Sequence, residues 1–270
     1  MFYPTFAKYE KDLPGKANGS PAQAADVVSR YASPILFEPG TSWAYGTGID
    51  WAGLLVERLS KQTLEDFIKE NICKPLGITS MSFFPQKDRM PRISARGKDG
   101  KLLPYTDPYI NEGYVACFGG QGIYSSMPDY LAFQLSILRN DGKILPAAIV
   151  DEMFKPQLHG AASDAIWDTL QSPIGNSSAG EIRPDIRFNW GLGGLLFTEN
   201  DVGRRKKGTM IWGGLTNCFW SIDREAGVAL AFGTQVLPPG DKRCEAVTSE
   251  VERAVNTLAG VYGSEAGEKP

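Results

Sequence analysis

Phe37-Glu38-Pro39-Gly40-Thr41-Ser42-Trp43-Ala44-Tyr45-Gly46-Thr47-Gly48 is the stretch whose reading decides the fold. Glu38-Pro39-Gly40 is a turn signal: proline presets one backbone angle and glycine accepts the left-handed one. After it, Ile49, Ala52, Val56 and Leu59 recur at three- and four-residue steps, which predicts an amphipathic helix from about Gly48 to Ser60. Thr63 carries the hydroxyl of a helix cap, with Phe67 and Ile68 on the apolar side, and Pro75-Leu76-Gly77 ends that helix.

Before this stretch, the residues up to Ser20 are polar, rich in Gly and Pro and without period, and read as loop. Ser20-Pro21 predicts the start of a short helix reaching about Tyr31. On the other side, the chain to about residue 110 reads as helical and then irregular. Gly119-Gly120-Gln121-Gly122 is a tight turn, and Ser126-Met127-Pro128-Asp129 opens a helix through Phe133 and Ile137 that stops at Asp141-Gly142. A short helix over Ala147 to Phe154 follows, then a weakly patterned insertion over 160–186. From Phe188 the signal becomes strands: Phe188–Thr198, Thr209–Gly214, Cys218–Ile222 and Val228–Phe232, with a hairpin turn at Asp223–Gly227. A closing helix places Cys244, Val247, Val251, Ala254 or Val255, and Leu258 on one apolar face. Helices, an antiparallel meander and a closing helix make an α+β layout rather than alternating βαβ. The division expected is 1–115, mostly helical, and 116–270, carrying the sheet.

Composition narrows the function. The formal net charge of -3 provides no general attraction to nucleic acid or an anionic membrane. No apolar run approaches a membrane span, and the start lacks a basic and then apolar leader, so a cytoplasmic protein is expected. Cys73, Cys117, Cys218 and Cys244 are far apart and read as reduced thiols. With one histidine and no Cys-x-x-Cys, neither a metal nor another cofactor is expected. His159 reads as a surface residue. The chain has no Gly-x-Ser-x-Gly elbow, and Gly120 and Gly122 lack the rest of a dinucleotide fingerprint. The sequons at Asn18 and Asn176 are of a kind frequent by chance. Arg204-Arg205-Lys206-Lys207 reads as a solvated hairpin tip rather than a phosphate site.

Two segments stand out: the Pro-Gly-x-x-Trp-x-Tyr run ending on Tyr45, and Trp212-Gly213-Gly214-Leu215-Thr216-Asn217 on a strand. Together they resemble the serine β-lactamase and penicillin-binding-protein superfamily, and within it the class C-like esterases and fungal transesterases of the lovastatin acyltransferase type. Gly119–Ser126 and Gln235–Asp241 add to the resemblance, which runs from about residue 20 to the end. It implies a β-lactamase/transpeptidase-like fold and acyl transfer from a small-molecule ester or thioester through a serine acyl-enzyme. An acyl-carrier protein is a partner it allows, and secondary metabolism a setting it allows. Tyr45 is implied as the proton relay of the family's Tyr-x-Asn element, and Thr47 stands where the family has Asn. Trp212-Gly213-Gly214 matches the family's Lys-Thr-Gly element. There Trp212 is an apolar wall, the glycines allow close approach, and the Leu215 N–H is half of an oxyanion hole.

The family pairs its tyrosine with a Ser-x-x-Lys, because a serine hydroxyl needs a base to become a nucleophile. No serine here is followed three residues on by lysine, and the nearest mimic is Thr5-Phe6-Ala7-Lys8. The expectation is a chain truncated at its N-terminal side and inactive alone. The alternatives are a non-catalytic binding protein, a truncated gene product, and a β-lactamase or DD-peptidase. Trp212 in place of a cation argues against the last, whose substrates present a carboxylate.

Overall fold

The computed structural model describes residues 26–32, 34–84, 87–106, 115–171 and 181–261. Asp26 accepts the backbone N–H of Ser29 at 2.9 Å and caps α1 (Val27–Tyr31). The helix start expected at Ser20-Pro21, the Asn18 and Asn176 sequons and Thr5-Phe6-Ala7-Lys8 lie outside the described residues. α2 (Gly48–Ser60) has the predicted bounds, but its packed side is not the predicted one. Asp50 and Gly53 are buried, while Ile49 and Leu59 are exposed. The reason is steric. A Cβ on Gly53 would lie 2.8 Å from Leu64 Cδ2 and 3.5 Å from Gly119 Cα, so the side without bulk is the one that can be approached closely.

The Thr63 hydroxyl accepts the Asp66 N–H at 3.1 Å and starts α3 (Leu64–Ile68). A π turn (Lys69–Cys73) and α4 (Lys74–Leu76) continue it to Gly77, at φ 68°. The segment expected to be irregular contains β1 (Ser94–Arg96) and β2 (Leu102–Pro104), paired antiparallel. Strands of three residues are too short to show a period of two. Ser126 caps α5 (Met127–Arg139), and α6 (Ala147–Met153) follows as expected. Part of the 160–186 insertion is also helical: α7 (Ala161–Gln171) buries Ala162, Ile166 and Leu170 at four-residue steps.

The run Phe188–Thr198 is not one strand. β3 (Phe188–Trp190) and β4 (Leu195–Phe197) are separated by a turn in which Gly193 has φ 126°. β5 (Met210–Gly213), β6 (Phe219–Asp223) and β7 (Val228–Phe232) complete an antiparallel meander in sequence order. β8 (Val236–Leu237) leaves that sheet and pairs in parallel with β1. α8 (Lys242–Leu258) closes the chain. Alternation along the strands makes two cores. Ile222 packs with Ile137 of α5 and Val150 of α6. On the other side Phe188, Leu195, Phe197, Ile211 and Phe219 pack with Ile166 and Leu170 of α7.

The two arginines of the basic run are not at a solvated tip, while Lys207 is exposed as expected. Arg204 and Arg205 are 5% and 1% exposed. Both grip Glu252 of α8: Arg204 Nε donates to Oε2 at 2.5 Å, and Arg205 Nε to Oε1 at 2.6 Å. Arg204 also donates to Ser249 Oγ at 2.9 Å, and Arg205 lies over the Phe197 and Phe219 rings. This explains a further departure. α8 turns Thr248, Ser249, Glu252 and Asn256 inward, and leaves Val247 and Leu258 of the expected apolar face exposed. Buried guanidinium groups require a polar helix face opposite them.

Burial acts to raise the Glu252 carboxyl, but the charges of Arg205 and Arg204 outweigh it and hold it below the usual range. Glu252→Ala removes the carboxylate that two buried cations share. It is expected to cost roughly 3–5 kcal/mol in urea unfolding at pH 7; a loss under about 1 kcal/mol would show that the ion cluster does not hold α8 to the sheet.

Candidate active site

The Tyr45 segment is built from its ends. The Thr41 N–H and hydroxyl both donate to Glu38 O, at 3.0 and 2.7 Å, and close the Glu-Pro-Gly turn. Thr47 is the N-cap of α2 through its backbone: its carbonyl accepts from Asp50 and Trp51 at 3.0 and 3.2 Å, and its hydroxyl makes no capping bond. Asp50, in the first helical turn, is 1% exposed and its Oδ1 accepts the Gly120 N–H at 3.0 Å. A Cβ on Gly120 would lie 2.6 Å from Asp50 Oδ2, and one on Gly119 2.6 Å from Ile49 O. The two adjacent glycines therefore let the 117–122 turn sit directly on the start of α2.

The Trp212 segment is held by bonds to the turn that follows it. The Gly214 N–H donates to Cys218 O at 2.9 Å, and Asn217, at φ 58°, donates to Gly214 O at 3.0 Å. The Asn217 side chain donates to Val236 O at 2.7 Å and Pro238 O at 2.9 Å, and accepts from the Asp241 N–H at 3.0 Å. Thr234 Oγ1 donates to Thr216 O at 2.8 Å. Asp241 in turn caps α8 and is gripped by the Arg96 guanidinium through both carboxylate oxygens, which holds its carboxyl down to about 2. The β5–β6 turn is thus tied to β8, to α8 and, through Arg96, to β1. Among the described residues nothing accepts from the Leu215 N–H. A Cβ on Gly214 would meet nothing closer than Cys218 Cβ at 3.7 Å, so neighbouring packing does not require glycine there.

The two segments meet ring to ring. Tyr45 and Trp212 have ring centroids 5.6 Å apart at 32°. Trp190 stands edge-on to Trp212 at 4.8 Å and 78°, Trp43 lies 5.7 Å from Trp190, and 6.5 Å from Tyr45. Four aromatic rings close a circuit, with Tyr45 40% exposed at its rim. Burial pushes the Tyr45 phenol above its usual value; a hydrogen bond with the Trp212 side chain opposes this, and the Asp50 charge adds to it. At neutral pH the group is a hydrogen-bond or proton donor, and it becomes a base only where positive charge is brought to it.

Tyr45, Thr47, Trp212, Gly213, Gly214 and Leu215 thus fall on two segments in contact. Trp43, Trp190 and Asp50 were missed as site residues. Trp43 lay inside the quoted motif without a role of its own, Trp190 was merged into one long strand, and a lone carboxylate carries no pattern. His159 is exposed, as expected, and Arg204 and Arg205 belong to the ion cluster. The four cysteines are free thiols.

Residues 4–254 match the Beta-lactamase family. The chain is 34% identical over 242 residues to monacolin J acid methylbutanoyltransferase of Aspergillus terreus, covering 87% of this chain and 59% of the transferase. It is 33% identical over 245 residues to lovastatin esterase of Penicillium rubens, covering 88% of this chain and 61% of the esterase. In structure it is similar to the LovD6 mutant of simvastatin synthase from Aspergillus terreus, with a TM-score of 0.81 and 36% identity over 86% of this chain and 60% of that one. The chain spans about three fifths of the length of these relatives. A likeness to EstCE1, a hydrolase with promiscuous acyltransferase activity, at TM-score 0.64 and 20% identity, extends the fold match alone.

Two titrations test this geometry. The difference in tyrosinate absorbance between the parent chain and Tyr45→Phe is expected to place Tyr45 above its ordinary value of about 10, and Asp50→Asn to lower it by removing a nearby negative charge. A value below 10 in the parent contradicts the environment described. For Asp241 the folded value lies below the unfolded one of about 3.9, so its contribution is present above that pH and is lost as pH falls toward 2. Asp241→Asn is expected to cost about 2 kcal/mol at pH 7 and progressively less below pH 4; a loss independent of pH in chemical unfolding would contradict a stabilising Asp241–Arg96 ion pair.

Proposed function

The chain belongs to the beta-lactamase family, and from that we propose that it supplies the tyrosine, the apolar wall and half the oxyanion hole of a serine acyl-transfer site. The relatives are acyltransferases and esterases, which supports acyl transfer as the reaction class. The observation that carries the reading for this chain is the ring contact between Tyr45 and Trp212, at 5.6 Å, which joins the two motif segments.

In this reading a small-molecule ester or thioester lays its acyl group against Trp212. The open side of Gly214 admits it, and the unengaged Leu215 N–H donates to the oxygen that becomes negative. Tyr45 passes a proton between the attacking hydroxyl and the leaving group. The burial-raised phenol means that this role needs a cation beside it, which the family's lysine provides. Thr47 presents a hydroxyl, which can accept as well as donate, where the family has an amide. An acyl-carrier protein as donor, a role in secondary metabolism, a cytoplasmic setting and the 1–115 and 116–270 division are parts of the same proposal. No helix among the described residues is long and apolar enough to cross a membrane.

The missing Ser-x-x-Lys favours a second reading, a binding protein that keeps the acyl pocket without turnover. One pair of assays separates the two. The chain as it stands is expected to leave p-nitrophenyl esters unhydrolysed. A segment carrying Ser-x-x-Lys, grafted ahead of residue 1, is expected to confer hydrolysis that Tyr45→Phe reduces at least ~100-fold. Hydrolysis by the ungrafted chain that Tyr45→Phe abolishes would disprove the absence of a nucleophile. Grafted activity indifferent to Tyr45→Phe would remove the tyrosine from the mechanism.

A further inference from the structure

Trp190 lies outside both motif segments, yet its ring packs against Trp212 of one and Trp43 of the other. Its indole stands at 78° to Trp212 with centroids 4.8 Å apart, which makes an L-shaped corner of one face and one edge. Trp43 backs this corner, 5.7 Å from Trp190 and tilted by 46°. All the walls are uncharged. All three indoles are half-buried, so part of each remains accessible.

Trp190 is also rigidly mounted. Its carbonyl accepts the Gln157 N–H at 2.8 Å, and its own N–H donates to Asn189 Oδ1 at 2.8 Å. Buried Asn189 bonds Leu158 in both directions, at 2.9 Å each. The following turn is wedged between two neighbours: a Cβ on Gly191 would lie 2.4 Å from Met153 O, and one on Gly194 2.8 Å from the Trp220 ring. Such a surface is built before ligand arrives, so little ordering opposes binding.

We propose that Trp190 is a specificity-determining residue of the acyl site, whose corner with Trp212 takes a neutral group with a flat apolar body, such as an aryl ring, and rejects a carboxylate. The geometry gives the reason. A flat group buries one face on one indole and its rim against the other, whereas a carboxylate there loses its water and meets no cation in the ring circuit. The inference rests on the acyl-transfer reading for its substrate, but not on turnover.

The test is calorimetric titration of the full chain with N-butylbenzamide, a neutral amide with a flat acyl group that cannot be turned over as an ester, and with its carboxylate-bearing counterpart 4-(butylcarbamoyl)benzoic acid. The neutral amide is expected to bind about ten-fold more tightly than the acid. Trp190→Ala is expected to weaken the amide about ten-fold, and Trp190→Phe less than about three-fold. Thermal melts show whether the variants are folded; if Trp190→Ala is not, Trp190→Leu, apolar but without a ring, carries the same expectation. Unchanged binding in the folded ringless variant, equal affinity for amide and acid, or no binding to the parent chain overturns the proposal. Ester turnover by the grafted chain is scored apart: its failure removes acyl transfer and leaves the Trp190 corner standing on amide binding.

Discussion

The carboxylate of Glu252, 2% exposed and held between Arg204 and Arg205, is the contact on which the arrangement of the sheet depends. Three charges out of water tolerate little displacement, because each depends on the others for part of its compensation. They fix α8 against β4 and β6, where Arg205 covers Phe197 and Phe219. The same demand turns the polar side of α8 inward and leaves Val247 and Leu258 outward. Such a cluster need not add net stability over an apolar one; what it adds is a single orientation for the helix.

That orientation reaches the site. α8 begins at Asp241, which Arg96 grips from β1 and which donates its N–H to Asn217 in the β5–β6 turn. Asn217 also holds the carbonyls of Val236 and Pro238. The turn that presents Leu215 is therefore clamped to β8 and to the start of α8. Its site side is left unfilled at Gly214 and at the Leu215 N–H. On the opposite wall, glycines 119 and 120 bring their turn onto Asp50 and the start of α2, which orients the loop carrying Tyr45. Two braced loops then meet through aromatic rings, which have few rotamers to lose on ordering.

Much of this was legible in the residues. The bounds of α2 and β7, the Ser126 and Thr63 caps and the left-handed Gly77 follow from local chemistry, which acts within one or two turns of chain. The order of helices and strands, with the Tyr45 and Trp212 motifs, was enough to place the chain in its family and its fold. Illegible were the features that depend on residues distant in sequence. The three-residue β1 and β2 have no period to read and exist because β8 comes back to pair with β1. The helical spacing of Ala162, Ile166 and Leu170 was present but diluted by its flanks.

By itself, the sequence determined the fold class, the two motif segments and the lack of a Ser-x-x-Lys, since each is a matter of which residues stand next to which. Only the tertiary structure decided which face of α2 and α8 is buried, that Arg204 and Arg205 are interior ions and that Trp43 and Trp190 complete the rings around Tyr45 and Trp212. Periodicity shows that a helix has an apolar side, but what it packs against is set by the shape and charge of its neighbour. A buried arginine calls for a polar partner and a glycine for close approach, and neither preference is visible until the fold brings the partners together.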